Sequence, residues 1–228
     1  MKGLHLMAAL IAAFLLPVAC AYGSSSDRAD PVEPGSKTIE VFNGNAYNFR
    51  THLSIEQSGW PDISTNAKYQ TRPFEEAPYY SIRFAKWREG GRATEIELLH
   101  HKIYLHNTTA DVPRFDVTHG YNMLFLNQAW TRNGITYRVG GGLVIAHPEN
   151  IVRGQELPLD EGIANSGFYL SGVAAQFAVG KRFRISGNLF ATAEAKVTAA
   201  WARIKIVDGH ATTPNLAVHG LIGIGCAF

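Results

Sequence analysis

Residues 93–107, ATEIELLHHKIYLHN, and residues 114–130, RFDVTHGYNMLFLNQAW, decide the reading of this chain. Two strand-length runs stand either side of a short polar bend. In the first, Ile96, Leu98, His100, Lys102, Tyr104 and His106 share one side, and Leu99, His101, Ile103 and Leu105 share the other, because a strand alternates its faces at every residue. One face is mixed and polar, with an ammonium, a phenol and imidazoles. The other is too apolar for water. A wall between lipid and a polar interior produces that division, so Lys102 is predicted to point inward and Leu99, Ile103 and Leu105 outward. Of the adjacent pair His100–His101, one must face out.

Working outward, the same alternation recurs. In AYNFRTHLSIE (46–56), Tyr47, Phe49, Thr51, Leu53 and Ile55 alternate with Asn48, Arg50, His52, Ser54 and Glu56. Further strands are read in PYYSIRFAKW (78–87), ITYRVGGGLVIAH (135–147), GFYLSGVAAQFAV (167–179), RISGNLFATAEAKVTAAWARIKI (184–206) and LAVHGLIGIGCAF (216–228). Arg88–Gly91, Thr131–Gly134 and Gly180–Arg182 are predicted short turns, Asn-Gly being a strong hairpin signal. Residues 57–78, 107–113, 148–166 and 207–215 are predicted long loops. Eight strands with alternating long and short connections define an all-β, antiparallel, up-and-down transmembrane barrel. Trp87, Trp130 and Trp201 fall near strand ends, where aromatic girdles sit, and Trp60 falls in a loop.

The chain of 228 residues begins with Lys2, an apolar run from Leu6 to Leu16, and Ala19-Cys20-Ala21. That is a secretory signal over residues 1–21, too short to span a bilayer as a helix; the rival is a lipoprotein signal with Cys20 acylated. Residues 22–38 read as a polar periplasmic leader and 39–228 as the barrel. Cleavage leaves Cys226 alone, so no internal disulfide is expected. The net charge of +2 and the lack of a basic stripe exclude a nucleic-acid partner. The address is the outer membrane of a Gram-negative bacterium, with surrounding lipid and lipopolysaccharide as partners, in a monomer.

An eight-stranded barrel is filled by its own side chains, which excludes a general porin. Arg50, Arg83, Lys102, Arg138, Glu194 and Lys196 are predicted inward and must pair. Glu194 and Lys196 share a face and are placed to meet Lys102 and Tyr104. His100, His101, His106, His119, His147 and His210 offer bases and metal ligands near the external rim, although no H-E-x-x-H spacing marks a site. His52, Ser54 and Glu56 share a face near the outer end of the first strand, the order of base, hydroxyl and carboxylate needed for a nucleophile. Gly140–Gly142 lies within a strand and reads as room for a neighbouring side chain or as a bend.

HHKIYLHN (100–107), THGYN (118–122) and AEAKVT (193–198), with the terminal Phe228, resemble the small exported barrels of alphaproteobacteria, among them the lipid A oxidase group of rhizobia. A terminal aromatic of this kind also resembles the signature read by the barrel assembly machinery. The lipid A oxidase resemblance implies oxygen-dependent oxidation of the proximal glucosamine of lipid A. It directs attention to His100, Lys102, His106, His119 and Glu194, with a divalent metal bound by histidine or a basic pocket. Lys102 would then hold a phosphate or carboxylate, and a histidine would take the proton of the sugar C1 hydroxyl. His52-x-Ser54 resembles the pairing of outer-membrane lipid A deacylases, but there the catalytic groups face the membrane, whereas here they alternate with leucine and isoleucine. A non-catalytic barrel, structural or binding a small hydrophobic ligand, and a loop-based adhesin are the other readings.

Overall fold

The computed structural model describes residues 32–75 and 78–228; the segment 1–21 predicted as a signal peptide and most of the predicted leader lie outside the described residues. All strands join one antiparallel sheet. They are β1 (Lys37–Asn48), β2 (Thr51–Gln57), β3 (Ile63–Ala67), β4 (Tyr69–Gln70), β5 (Tyr80–Arg88), β6 (Arg92–Leu105), β7 (Arg114–Arg132), β8 (Ile135–Ala146), β9 (Glu149–Val152), β10 (Gln155–Glu156), β11 (Tyr169–Ser186), β12 (Leu189–Ile206) and β13 (Gly209–Ala227). Eight of them, β1, β5, β6, β7, β8, β11, β12 and β13, pair in that order, and β13 closes on β1 with Thr38 opposite Ala227. Closure removes the unpaired edges an open sheet would expose. The predicted eight-stranded barrel is the fold observed.

Both described chain ends share one rim, where Lys37 and Phe228 exchange backbone hydrogen bonds of 2.8 and 2.9 Å. The turns at that rim are short: Glu89–Gly91, Asn133–Gly134 and Gly187–Asn188. The last corrects the predicted bend at Gly180–Arg182. Strand β11 runs straight through, and Gly180 is glycine for room rather than for turning. A Cβ there would lie 3.2–3.4 Å from Ala193, Glu194 and Arg138 atoms. At the far rim the predicted loop 207–215 is a second correction. The β12–β13 ladder continues to Ile206 opposite Gly209, across Val207 and an Asp208 at φ +52°. Ala211, Thr213 and Asn215 are buried at alternate positions, so period two persists through residues whose composition suggested a loop. The far-rim loops 57–78 and 148–166 also gain short strands, β3 with β4 and β9 with β10.

Around the outside runs an apolar belt, with Ile96, Leu126, Val139, Phe177, Val197 and Ile222 exposed. Trp130 and Trp201 are exposed at its margins, but Trp87, placed in the girdle from sequence, points inward and donates to Thr38 at 3.1 Å. Inside the belt the bore is ionic. Arg83 Nη2 donates to Glu194 Oε1 at 2.6 Å and its Nε to Glu97 Oε2 at 3.2 Å. Arg138 donates to Glu194 at 2.8 Å and to Glu95 at 3.0 Å. Lys196 pairs with Glu97, and Thr192 donates to Glu40 at 2.8 Å. Gly140 keeps a place for this network, as its neighbour reading predicted: a Cβ there would lie 1.8 Å from Asn127 Oδ1, whose amide also donates to Glu97.

Above the belt the bore is mainly apolar, with His101 and Asn215 both hydrogen-bonded to Asn48 within it. Leu53, Ile55, Leu99, Ile103, Phe115 and Val117 belong to one buried cluster. The sequence expectation is therefore inverted at this level: Leu99, His101, Ile103 and Leu105 point inward, and His100, Lys102 and Tyr104 lie on the outer side. With no hydrocarbon outside, the apolar face packs inward as in a water-soluble sheet. The same holds for Leu53 and Ile55. The chain breaks between β1 and β2, Phe49 and Arg50 are both exposed, and the faces exchange there. Arg50 is not an inward charge.

Candidate active site at the outer rim

A bulge builds the site. Along β6 and β7, His101 faces Tyr121, but the next pair is Ile103 with Val117, so β7 carries surplus residues between them. Gly120 makes the bulge possible with φ +122°, where a Cβ would lie 2.2 Å from the Asn122 side chain. His119 stands on this bulge. Strand β8 ends beside it, with the His147 amide donating to the Gly120 carbonyl at 3.1 Å. Strand β9 then pairs with β7, Glu149 opposite Asp116. Three separate pieces of backbone thus bring His119, His147 and Glu149 together, one donor atom from each lying within 4.8 Å of the others.

The Glu149 carboxylate is the hub. Its Oε1 lies 2.6 Å from His119 Nδ1 and accepts from the Thr118 hydroxyl, while Oε2 accepts from Arg114. Arg114 also donates to Asp116 at 3.2 Å. Burial alone would raise the Glu149 carboxyl, yet His119, Thr118 and Arg114 outweigh it and hold the pKa at about 2. The His119 and His147 rings are 4.8 Å apart between centroids, and His147 packs at the same distance on Phe168. His147 is buried; His119 keeps 25% of its side-chain surface and Glu149 14%. The group is therefore reachable from outside. An imidazole oriented by a carboxylate can take a proton, and two imidazoles with one carboxylate also form a metal-ligand set.

Its height and direction follow from register. Tyr104, Asp116 and Glu149 are directly paired across β6, β7 and β9, so they share a side. Phe115 and Val117, which alternate with Asp116, lie in the apolar interior. The cluster is thus on the outer flank of the wall, and the outward residues below it on β7 are the exposed Leu124 and Leu126 of the belt.

The other predicted residues are dispersed. His100 is buried, stacked on Tyr80 at 4.8 Å, and bonded through Nδ1 to Asn122 at 2.7 Å. Asn122 in turn donates to the His119 carbonyl at 3.4 Å. Lys102 is buried and donates to the Glu75 carbonyl, so it cannot serve as an open phosphate holder. His106 is exposed, beyond the end of β6. Glu194 belongs to the ion network in the bore and meets Arg83, Arg138 and Lys196, not Lys102 or Tyr104. The hydrolase set is not assembled. His52 approaches Ser64, at 3.4 Å, and Glu56 lies 3.5 Å from His210. Sequence reasoning placed His119 in the candidate set but left Glu149 out. The signal available was His147-Pro148-Glu149, an i, i+2 pair of ligand-type residues ahead of a strand.

No family model and no curated protein matches the chain. Solved structures do. An AlkL structure, determined by solid-state NMR in lipid bilayers and described as an outer membrane protein, superposes with TM-score 0.50 at 11% identity, covering 89% of this chain and 94% of AlkL. OprG of Pseudomonas aeruginosa gives 0.48 at 11%, covering 90% and 98%. Ail of Yersinia pestis gives 0.41 at 11%, covering 86% and 100%. With the belt and the closed ring, the chain has the fold of a small integral outer-membrane β-barrel.

Proposed function

We propose that this barrel modifies the head group of an outer-leaflet lipid at the flank carrying His119, His147 and Glu149, with lipid A as substrate. The observation that supports it is position: a half-buried cluster of bases and carboxylates lies on the outer side of the wall directly above the apolar belt. Lipid head groups lie at that height. The ion network leaves the bore no comparable open group. On the same flank Arg72, 42% exposed, pairs at the surface with Glu75 and lies 4.6 Å over the Tyr104 ring, where it would meet a lipid phosphate.

The resemblance to the lipid A oxidases selects oxidation of the proximal glucosamine. In that reaction C1 and its hydroxyl give up an electron pair and two protons, dioxygen accepts both, and water opens the resulting lactone to the aminogluconate. The cluster would receive the hydroxyl proton, and Arg72 would hold a phosphate.

Expression in a host whose lipid A has lost its C1 phosphate and so carries the free C1 hydroxyl, followed by mass spectrometry of that lipid A, is the test. A gained oxygen that disappears in a folded His119→Ala variant is expected. A lost acyl chain would replace oxidation with hydrolysis, and an unchanged spectrum beside folded protein would leave a passive barrel.

A further inference from the structure

We infer that His119, His147 and Glu149 bind one divalent first-row transition-metal ion, leaving coordination positions open toward the membrane surface. The inference deepens the proposed function and concerns the same residues, but its test reads the protein alone.

The donor set is the first reason. Two imidazoles and one carboxylate are the protein ligands of open zinc sites and of non-haem iron sites, where the remaining positions take water or substrate. Ligand atoms bonded to one such ion sit roughly 3 to 3.5 Å apart, given bonds of about 2.0–2.2 Å. Here the three donor atoms already lie within 4.8 Å of one another, and the His119 Nδ1–Glu149 Oε1 pair is at 2.6 Å. A metal would replace the proton that this pair shares, after small side-chain shifts.

The support around the ligands is the second reason. Bound carboxylates are normally fixed by further hydrogen bonds, and Glu149 is gripped by Thr118 on one oxygen and Arg114 on the other. The ligands stand on a bulge, a strand end and a paired strand, all tied to the barrel wall. Gly167, at φ +75°, packs so closely on His147 that a Cβ would lie 2.6 Å from its Nε2. Glu149 and Asp116 share the Arg114 guanidinium, so Glu149 keeps anionic charge to offer a cation. An ion pair alone would need neither the second imidazole nor its burial.

The test uses full-length mature protein folded in detergent, stripped with a chelator and titrated with Co²⁺, whose visible absorption reports the ligand field. One equivalent per chain is expected, with affinity falling more than tenfold in His119→Ala, His147→Ala and Glu149→Gln. His52→Ala and His210→Ala serve as controls and keep wild-type affinity. Heat-modifiable migration establishes that each variant is folded; His119→Gln replaces any alanine variant that is not. No stoichiometric uptake, or uptake equal in wild type and ligand variants (an adventitious ion only), overturns the inference. Metal bound with lipid A unchanged sinks the proposed function alone. Lipid A modified by protein that takes up no stoichiometric Co²⁺ sinks the metal alone.

Discussion

The barrel has two interiors, and one strand passes through both. Along β6 the inward residues run Glu95, Glu97, then Leu99, His101, Ile103 and Leu105; the outward ones run Ile96 and Leu98, then His100, Lys102 and Tyr104. Polar and apolar faces trade places between Glu97 and Leu99. Inside the belt the wall faces hydrocarbon, so polar groups gather in the bore and must pair. Above the belt water or head groups lie outside, and the bore becomes a mainly hydrophobic core. Interior polarity is set by what lies on the other side of the wall.

The largest test of this contrast is Arg83→Met. It strips Glu97 and Glu194 of a buried partner and should cost about 3–5 kcal/mol, read as a lower urea midpoint in detergent. The same change made in the upper half has no counterpart, since no charge fills it in that way. There the matching test is Ile103→Ala, expected to cost about 2–5 kcal/mol locally. Proteolysis at the outer end should increase while heat-modifiable migration persists. If both variants lose the whole barrel together, the two interiors are not separable.

A smaller effect comes from pH. The Glu149 carboxyl is held at about 2 against an ordinary 4.5. Its contribution is thus fully present above pH 4.5 and is lost as pH falls through about 2. Outer-end protection against hydrogen exchange should decline across that window, and less so in Glu149→Gln. The smallest expected effect is His52→Ala, a change on the exposed side of β2 that should stay within about 0.5 kcal/mol. It should also leave the acyl chains of lipid A unchanged; a dependence on His52 would revive the deacylase-like set.

These contrasts explain what the sequence allowed. Period two made the strands and their number legible, because alternation survives whichever face is greasy. It could not say which face is inside, since that depends on height in the membrane. The doubled pairs Leu98–Leu99 and His100–His101 mark the exchange, but alternation alone gives each side of the run one character along its whole length. Arg83, Arg138, Glu194 and Lys196 were legible as inward charges, but their partners were not: Glu95 and Glu97 share the face that the upper half of β6 marks as apolar, and Glu40 precedes the run 46–56 that gives the first strand. The site was half legible: His119 stood out as a base, whereas its approach to Glu149 depends on a bulge that no local pattern announces.

The salt-bridged cross-section has a further, electrical meaning. Arg83, Arg138, Lys196 and their glutamates bond across the tube from several walls, so a hydrated ion would have to part these pairs to pass. Reconstituted in a planar bilayer under voltage, the molecule should behave as an insulator, and Arg83→Ala, if it assembles, is the variant in which current steps would first appear.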